Sequence, residues 1–502
     1  MEQKKANDVR PPMDELLNPV SAAAQDLELK KELEQDKERL RSVLANFGVQ
    51  AKLTSVTHGP SVTRYELQPG PGVPVHRIVE LEDAIRYCLS ADSVRFEPTP
   101  GKPAVGIEIF KNRKGKETVS LCSVLESPEM QQKDSLTAFA LGRDASGKAI
   151  VADLARLPHL LIAGGEKKER TACIHAMINS FLLRAKPDEV GLILIEPEGS
   201  RADASADAGI KDKLDVYQDI PHLLVPVIHS AGEGLLALEW AEQEMERRYE
   251  RLRRAGARNV KEFNIAKAGM PDEEPMNRIV IIVDDLADLM GIYSEETGKF
   301  VSRLAQSGRA AGIHLVLVTG EPEADVLTGI IRANIPSRIA FSVSSAAQSI
   351  RILDKRGAEK LRGAGDMLFM QAYEEGLARV QGCLITAEET GRVCDWLCRQ
   401  YPAACSEATI REMESIARKK EEPDDSIERD ETLIQAIELA IEYGRVSVAL
   451  LQRRLRVGYA RAERLIAQMV ELGVIAEKKS LFKPNETLIS MEDWQRMQEN
   501  QE

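Results

Sequence analysis

Aromatic residues are scarce in this chain, at 4% of 502 residues, which leaves little material for extended base-stacking surfaces. No stretch approaches the ~18 continuous apolar residues of a membrane span. The opening MEQKKANDVRPPMDELL holds no apolar leader segment. Positive charge is in deficit: 67 Lys and Arg stand against 80 Asp and Glu, for a net charge of −13. An acidic total disfavours diffuse nucleic-acid binding but leaves room for one basic module. The seven cysteines are scattered and odd in number, and Cys394 and Cys398 share a helix face rather than a zinc-knuckle spacing. They read as reduced thiols. His159, His222 and His314 read as packing residues, and no Ser/His/Asp or Cys/His constellation emerges from spacing. These absences point to a soluble cytoplasmic protein, with any recruitment to a membrane left to a partner.

What is present divides the chain into segments. The length predicts about three domains. Residues 1–25 are polar and proline-interrupted and predict a disordered N-terminus. A small α+β module is expected over 26–130, built from a charged amphipathic helix, the strand signals SVTRYELQ, VRFEP and AVGIEI, and the helical LEDAIRYCL. From 131 to 402 short apolar runs alternate with helical segments: HLLIA, GLILIE, RIVIIVDD, HLVLVTG and RIAFSV. That rhythm predicts an α/β domain with a mostly parallel sheet covered on both faces. Within it, 199–213 reads as a flexible insertion. Residues 403–430, ending KKEEPDDSIERD, read as a linker, and 431–495 as a winged helix-turn-helix.

The strand, glycine turn and helix at 159–184 stand where a phosphate loop belongs. A working loop reads Gly-x-x-x-x-Gly-Lys-Ser/Thr, because the glycines let backbone N–H groups wrap phosphates, the Lys pairs with them and the hydroxyl holds Mg²⁺. Here the register is Gly164, Gly165, Glu166, Lys167, Lys168, Glu169, Arg170, Thr171. The first glycine and the hydroxyl are kept. Glu169 replaces the second glycine and Arg170 the lysine. The candidate nucleotide contacts are therefore Gly164, Gly165, Lys168, Arg170 and Thr171.

The strings LPHLLIAG, EMERRYERLRRAGARNVKEFN, RLAQSGRAAGIHLVLVTGEP, DVLTGIIRANIPSRIAFSVSS and GAGDML, with TRYELQPGPGV upstream and LLQRRLRVGYARAERLI downstream, resemble the FtsK/SpoIIIE family of DNA translocases. The resemblance spans about 38–490. It implies an α module, a RecA-like P-loop motor domain and a γ winged helix, with hexameric rings that thread double-stranded DNA. It also implies ATP and Mg²⁺ as cofactors if the site still binds nucleotide. Asp284 matches the Mg²⁺-associated carboxylate, with Thr171 as the second metal candidate. Asp285 stands where the family has the water-polarising Glu, one methylene too short. The family's Thr-Gln-Arg-Pro reads Thr319, Gly320, Glu321, Pro322, and its Asp-Pro-Lys reads Glu196, Pro197, Glu198. A carboxylate at Glu169 is expected to repel a triphosphate by about 1 kcal/mol in water and about 4 at a protein-surface dielectric. Arg309 fits an arginine that reaches a neighbouring subunit's nucleotide, or a structural helix-end charge.

Between Arg445 and Arg464 six arginines face one acid, a local +5 in a chain of −13. Arg453, Arg454, Arg456, Tyr459, Arg461 and Arg464 are the candidate DNA contacts, since a recognition helix needs cations for phosphates and side chains for base edges. Ala460 and Glu463 depart from the family pattern, so DNA binding is better founded than sequence preference. The expectation is a DNA-binding pseudo-motor of chromosome segregation or cell division, in a homo-hexamer or a mixed ring with an intact paralogue. An active translocase with a divergent loop and a protein-interaction module stand as alternatives.

Overall fold

The computed structural model describes residues 10–18, 22–59, 62–98, 104–110, 118–197, 214–267, 274–374, 376–401, 406–421, 431–446, 448–455 and parts of 462–494 (462, 465–466, 468–470, 472–476, 485–489 and 494); for 22–30, 97–98, 110, 418–421, 431–432, 448–449, 452–453 and 485–486 only the backbone is described. The chain forms two compact units, Met1–Ile416 and Ala417–Glu502. The expected insertion at 199–213 lies outside the described residues.

In the first unit, strands β1 (Ala51–His58), β2 (Thr63–Pro69), β3 (Ser93–Pro98) and β4 (Val105–Phe110) make an antiparallel sheet in the order β1-β2-β4-β3. Its inward residues Tyr65, Leu67, Val94, Ile107 and Ile109 meet Leu40 and Leu44 of the helix Ala22–Asn46 and Ile85 of the helix Glu82–Cys88. Alternation on the strands and helical spacing on the helices bury one face of each.

The larger sheet contains β5 (Ala138–Asp144), β6 (Ala149–Asp153), β7 (Leu160–Ala163), β8 (Val190–Ile195), β9 (Arg278–Asp284), β10 (Ile313–Thr319), β11 (Arg338–Ala340), β12 (Asp366–Met370) and β13 (Ala378–Gly382). Their order is β6-β5-β13-β12-β11-β7-β10-β9-β8. The five strands from β11 to β8 are parallel. They are the five apolar runs of the sequence, and β8 and β10 are buried at every position, as a sheet covered on both faces requires. The four remaining strands join antiparallel. Two large cores lie on opposite faces, one around Phe139, Ile174 and Phe181 and the other around Leu238, Leu289 and Ile331.

Two expectations are corrected. The N-terminal segment expected to be disordered over 1–25 contains the short helix Met13–Leu16, with Leu16 and Leu17 buried in the larger core. Arg392 donates to the Leu16 carbonyl at 2.9 Å, and the Asn18 N–H donates to Glu389 at 2.8 Å. Two leucines and three hydrogen bonds to the helix Ala387–Gln400 anchor a stretch too short to show periodicity. Residues 1–9 lie outside the described set. The linker expected over 403–430 contains the helix Glu407–Glu421. Its Ile410, Met413 and Ile416, at helical spacing, pack on the core, and Glu412 accepts from Trp240 at 2.7 Å and from Arg247 at 2.7 and 2.6 Å.

The second unit has the helices Glu431–Tyr443 and Val448–Leu455, with β14 (Arg445–Val446) paired antiparallel to β15 (Asn485–Glu486). Ala436, Ile437, Ala440, Leu451, Leu465 and Met469 form its core. Helix, short strand, helix and returning strand match the winged pattern expected at 431–495.

Candidate functional site

The C-terminal ends of the parallel strands bring the predicted loop residues together. β7 ends at Ala163 and turns through Gly164 and Gly165, whose φ values are 79° and 69°. A Cβ on Gly165 would lie 2.6 Å from the Phe341 Cβ and 2.8 Å from Glu169 Oε2, so only glycine fits. The Gly164 N–H donates to the Thr319 carbonyl at 3.1 Å and the Gly165 N–H to the Ser342 carbonyl at 2.8 Å. Neighbouring strands thus already hold two amides of the turn.

The helix Lys167–Leu182 follows, capped at Glu166. Glu169, at its third position, points back into the loop and is almost fully buried. Its Oε2 accepts the Glu166 N–H at 3.0 Å and its Oε1 accepts the Gly365 N–H at 2.8 Å. Gly363, Ala364 and Gly365 all have positive φ, at 73°, 55° and 84°, which turns that distant backbone toward the carboxylate. A buried carboxylate holding two N–H donors at a helix N-terminus is an anion in an anion site. Arg170 folds over the other side. Its Nη1 donates to the Gly165 carbonyl at 2.7 Å and the Gly164 carbonyl at 3.2 Å. The guanidinium also covers Gly320, where a Cβ would lie 2.8 Å from Nη2. The two departures at 170 and 320 therefore fit one another sterically.

The remaining predicted residues surround this closure. The Thr171 hydroxyl donates to the Lys167 carbonyl one turn back at 2.9 Å, inside its own helix. Lys168 lies in solvent and pairs with Glu166 at 2.6 Å. Lys167 pairs with Glu196 at 3.4 Å, and the other Glu196 oxygen accepts the Leu214 N–H at 3.0 Å. Asp284 ends β9 in the interior, with Oδ2 unpartnered. Burial, then the charge of Glu196, pushes its carboxyl up to about 6, against the pull of Lys167 and Arg170. Asp285 follows at φ 74°, an uncommon conformation for a non-glycine residue, and burial raises its carboxyl too. Among the described residues no group of three or more His, Cys, Asp or Glu is arranged to hold a metal ion.

The sequence marks Glu169 as a replacement but does not show where its carboxylate goes. The Glu166-x-x-Glu169 spacing, a capping-box signal, marked the local half of that contact. The half supplied by Gly365 had no local signal.

Of the candidate DNA contacts, Arg454 is exposed, donates to the Tyr443 hydroxyl at 2.6 Å and stacks over its ring at 5.6 Å. Arg453 is described by backbone only, and Arg456, Tyr459, Arg461 and Arg464 lie outside the described residues. No helix among the described residues is long and apolar enough to cross a membrane.

Comparison with known proteins follows the same division. The FtsK/SpoIIIE family profile matches residues 120–325, the FtsK alpha domain profile 11–110 and the FtsK gamma domain profile 427–489. A DNA translocase FtsK of Clostridium tetani is 42% identical over 495 residues, covering 97% of this chain and 64% of the relative. The DNA translocase SpoIIIE of Bacillus subtilis is 41% identical over 471 residues, covering 93% and 57%. The chain thus spans about three-fifths of the length of the curated relatives it matches. Among solved structures, the pCW3 conjugation coupling protein TcpA aligns at 18% identity and a TM-score of 0.48, over 72% of this chain and 99% of that one.

Proposed function

Because the chain belongs to the FtsK/SpoIIIE family, we propose that it is a double-stranded DNA-binding protein of chromosome segregation or cell division whose nucleotide site is closed by its own side chains. In this reading it hydrolyses little or no ATP. It acts as a pseudo-motor in a homo-hexameric ring or in a mixed ring with an intact paralogue.

The observation that carries the reading is the Glu169 carboxylate. It holds the Glu166 amide of the glycine turn and ties that turn to the Gly365 amide. Arg170 turns Nη1 onto the two glycine carbonyls of the loop rather than outward, and the Thr171 hydroxyl is committed to its own helix. An incoming phosphate would have to displace one buried anion and approach Asp284 and Glu196 as well. The residues present therefore do not fit ATP and Mg²⁺ in the arrangement they adopt, and phosphoryl transfer depends on positioned groups. DNA binding is assigned to the arginine-rich segment of the second unit.

The decisive measurement is DNA-stimulated phosphate release by the full chain. Wild type is expected to stay at background. The double variant Glu169→Gly, Arg170→Lys is expected to rise by at least about tenfold if the loop alone is at fault. Motor-like turnover by wild type would sink the pseudo-motor reading and leave an active translocase with a divergent loop.

A further inference from the structure

The opposite edge of the large sheet, where the parallel strands begin, carries a different charge. A cavity of about 830 Å³ opens there beside the starts of β9 and β10. Lys133, Arg156, Arg258, Lys261, Arg278 and Arg309 line it, against the carboxylates of Asp134 and Asp153. Asp153 Oδ1 accepts from Ser135 at 2.8 Å, Thr137 at 2.9 Å and the Ala155 N–H at 3.0 Å, and its Oδ2 pairs with Arg156 at 3.7 Å, so that carboxylate is spent within the cavity wall. Six cations thus converge on one cavity of a chain whose net charge is −13.

Two of the cations are fixed by the fold. Arg278 opens β9, and its backbone N–H is anchored on the Glu189 carbonyl at 2.9 Å. Its half-buried guanidinium makes no hydrogen bond and has no carboxylate within ion-pair distance among the described residues, although the charge of Asp153 acts on it. Arg309 donates from Nε to the Ala155 carbonyl at 3.1 Å, which sets the direction of its fork and leaves the terminal nitrogens exposed. A third group lies deeper. His314 lines the cavity from β10, is 1% exposed, and has neither ring nitrogen partnered among the described residues. Burial and the neighbouring charges of His159, Arg278 and Arg309 keep its ring neutral, so it offers one N–H donor and one acceptor. Buried polar groups without partners are uncommon in folded proteins and mark places where a ligand or solvent completes the set.

We propose that this cavity binds a small polyphosphate anion, at the sheet edge opposite the phosphate loop. A single tetrahedral anion would leave most of the volume and most of the cations unused. A chain of phosphates matches both the spread of charge and the size range of small-molecule sites, and two arginine forks suit phosphate oxygens. Tyr249, Leu136 and Val260 add an apolar wall, so the phosphates could belong to a free inorganic chain or to a nucleotide. Both sources share the chemistry proposed.

The test is titration calorimetry of the full chain with inorganic tripolyphosphate, in parallel with a magnesium-free nucleoside triphosphate and a short duplex DNA. Saturable one-to-one binding of tripolyphosphate is expected. Arg278→Met should weaken it by at least about tenfold, Arg278→Lys by less, and Lys168→Met with Arg170→Met not at all. Tighter binding of the nucleotide, lost in the same Arg278 variant, would support the site and identify the source of the phosphates. No tripolyphosphate binding, binding indifferent to Arg278, or binding lost with Lys168 and Arg170 instead would overturn the proposal. A response to duplex DNA alone would do the same. None of these outcomes depends on whether ATP is hydrolysed, so the failure of this site and the failure of the pseudo-motor reading stay distinguishable.

Discussion

One sheet has two edges with opposite electrostatic character. Where the parallel strands end, Glu169, Glu196, Asp284 and Asp285 crowd a glycine turn, and the cations present are folded inward or paired. Where the strands begin, six cations line an open cavity and the Asp153 carboxylate is taken up by local hydrogen bonds and by Arg156. In P-loop folds the strand ends receive the phosphates, by backbone amides and the helix dipole. Here the backbone keeps that shape while an internal carboxylate takes one amide of the loop, that of Glu166, and the distant amide of Gly365. On the proposed reading, the glycine turn, helix start and strand order persist although the groups that do chemistry have been replaced, and fold and phosphate chemistry are separable properties of the same loop.

The most severe disturbance of the closed edge is expected from Gly165→Ala. Its φ of 69° and the 2.6 Å approach of a Cβ to Phe341 add strain to a clash with the Glu169 carboxylate. A loss of about 3 kcal/mol or more is expected by urea denaturation. A loss below about 1 kcal/mol would mean the turn is not held closed as described.

The next largest effects set the two edges against each other in pH. Asp284, at the closed edge, has its carboxyl raised from the ordinary 3.8 to about 6. The folded state therefore favours the protonated form, and the stability present at low pH falls as pH rises through that window. His159, at the open edge, is lowered from 6.5 to about 4 by burial. Its neutral ring is favoured, so stability present above 6.5 is lost as pH falls toward 4. Each window is worth up to about 3 kcal/mol. Asp284→Asn is expected to gain on wild type at pH 8 and not at pH 4, and His159→Asn to gain at pH 4 relative to pH 8. Asparagine tolerates the left-handed backbone of His159, at φ 62°. Parallel pH curves for variant and wild type would remove either group from the account.

How legible this was in the sequence differs between the same two edges. The five parallel strands announced themselves as continuous apolar runs, because a strand buried on both faces has no polar positions to interrupt it. β13 did not, because it is only partly buried and carries Arg379 and Gln381 among its five residues. The segments around Leu16 and Ile416 were read as disorder and linker because each is anchored by only a few apolar residues. At the closed edge the replacements were visible by register, and their acidity suggested repulsion of a triphosphate. What they do instead was not visible. Glu169 is held by an amide 196 residues away in the chain, and Arg170 requires the absence of a side chain at Gly320. Taken singly, the replacements predict repulsion of a triphosphate; in the fold, Glu169, Arg170 and Gly320 interlock with the loop. The open edge was hardly legible at all, because its cations come from five separated stretches and only the fold assembles them.

A smaller effect is expected from Glu169→Gln. The amide keeps the shape but loses the charge, and its Nε2 cannot accept an N–H, so one of the two donors, Glu166 or Gly365, is left without a partner. A destabilisation of about 1–3 kcal/mol by thermal or urea unfolding is expected. A neutral or stabilising result would show that the carboxylate is tolerated in the loop rather than holding it shut, and would weaken the contrast at its centre.

The smallest expected effect bears on the open edge. Arg309 is exposed and makes one hydrogen bond, from Nε to the Ala155 carbonyl. Its removal leaves no buried group without a partner, because the carbonyl it frees borders an open cavity and can turn to water. Arg309→Ala should therefore change stability by no more than about 0.5 kcal/mol, while still weakening tripolyphosphate binding. That pairing separates a ligand group from a structural one. At the closed edge the charged side chains are part of what holds the loop together, so removing one costs stability first. At the open edge the like charges repel in the free protein, so removing one should leave the fold untouched and show its effect only when an anion is added. If Arg309→Ala instead lowers stability by more than about 1 kcal/mol, the arginine is a strut between 155 and 309, and the open edge resembles the closed one more than its charge suggests.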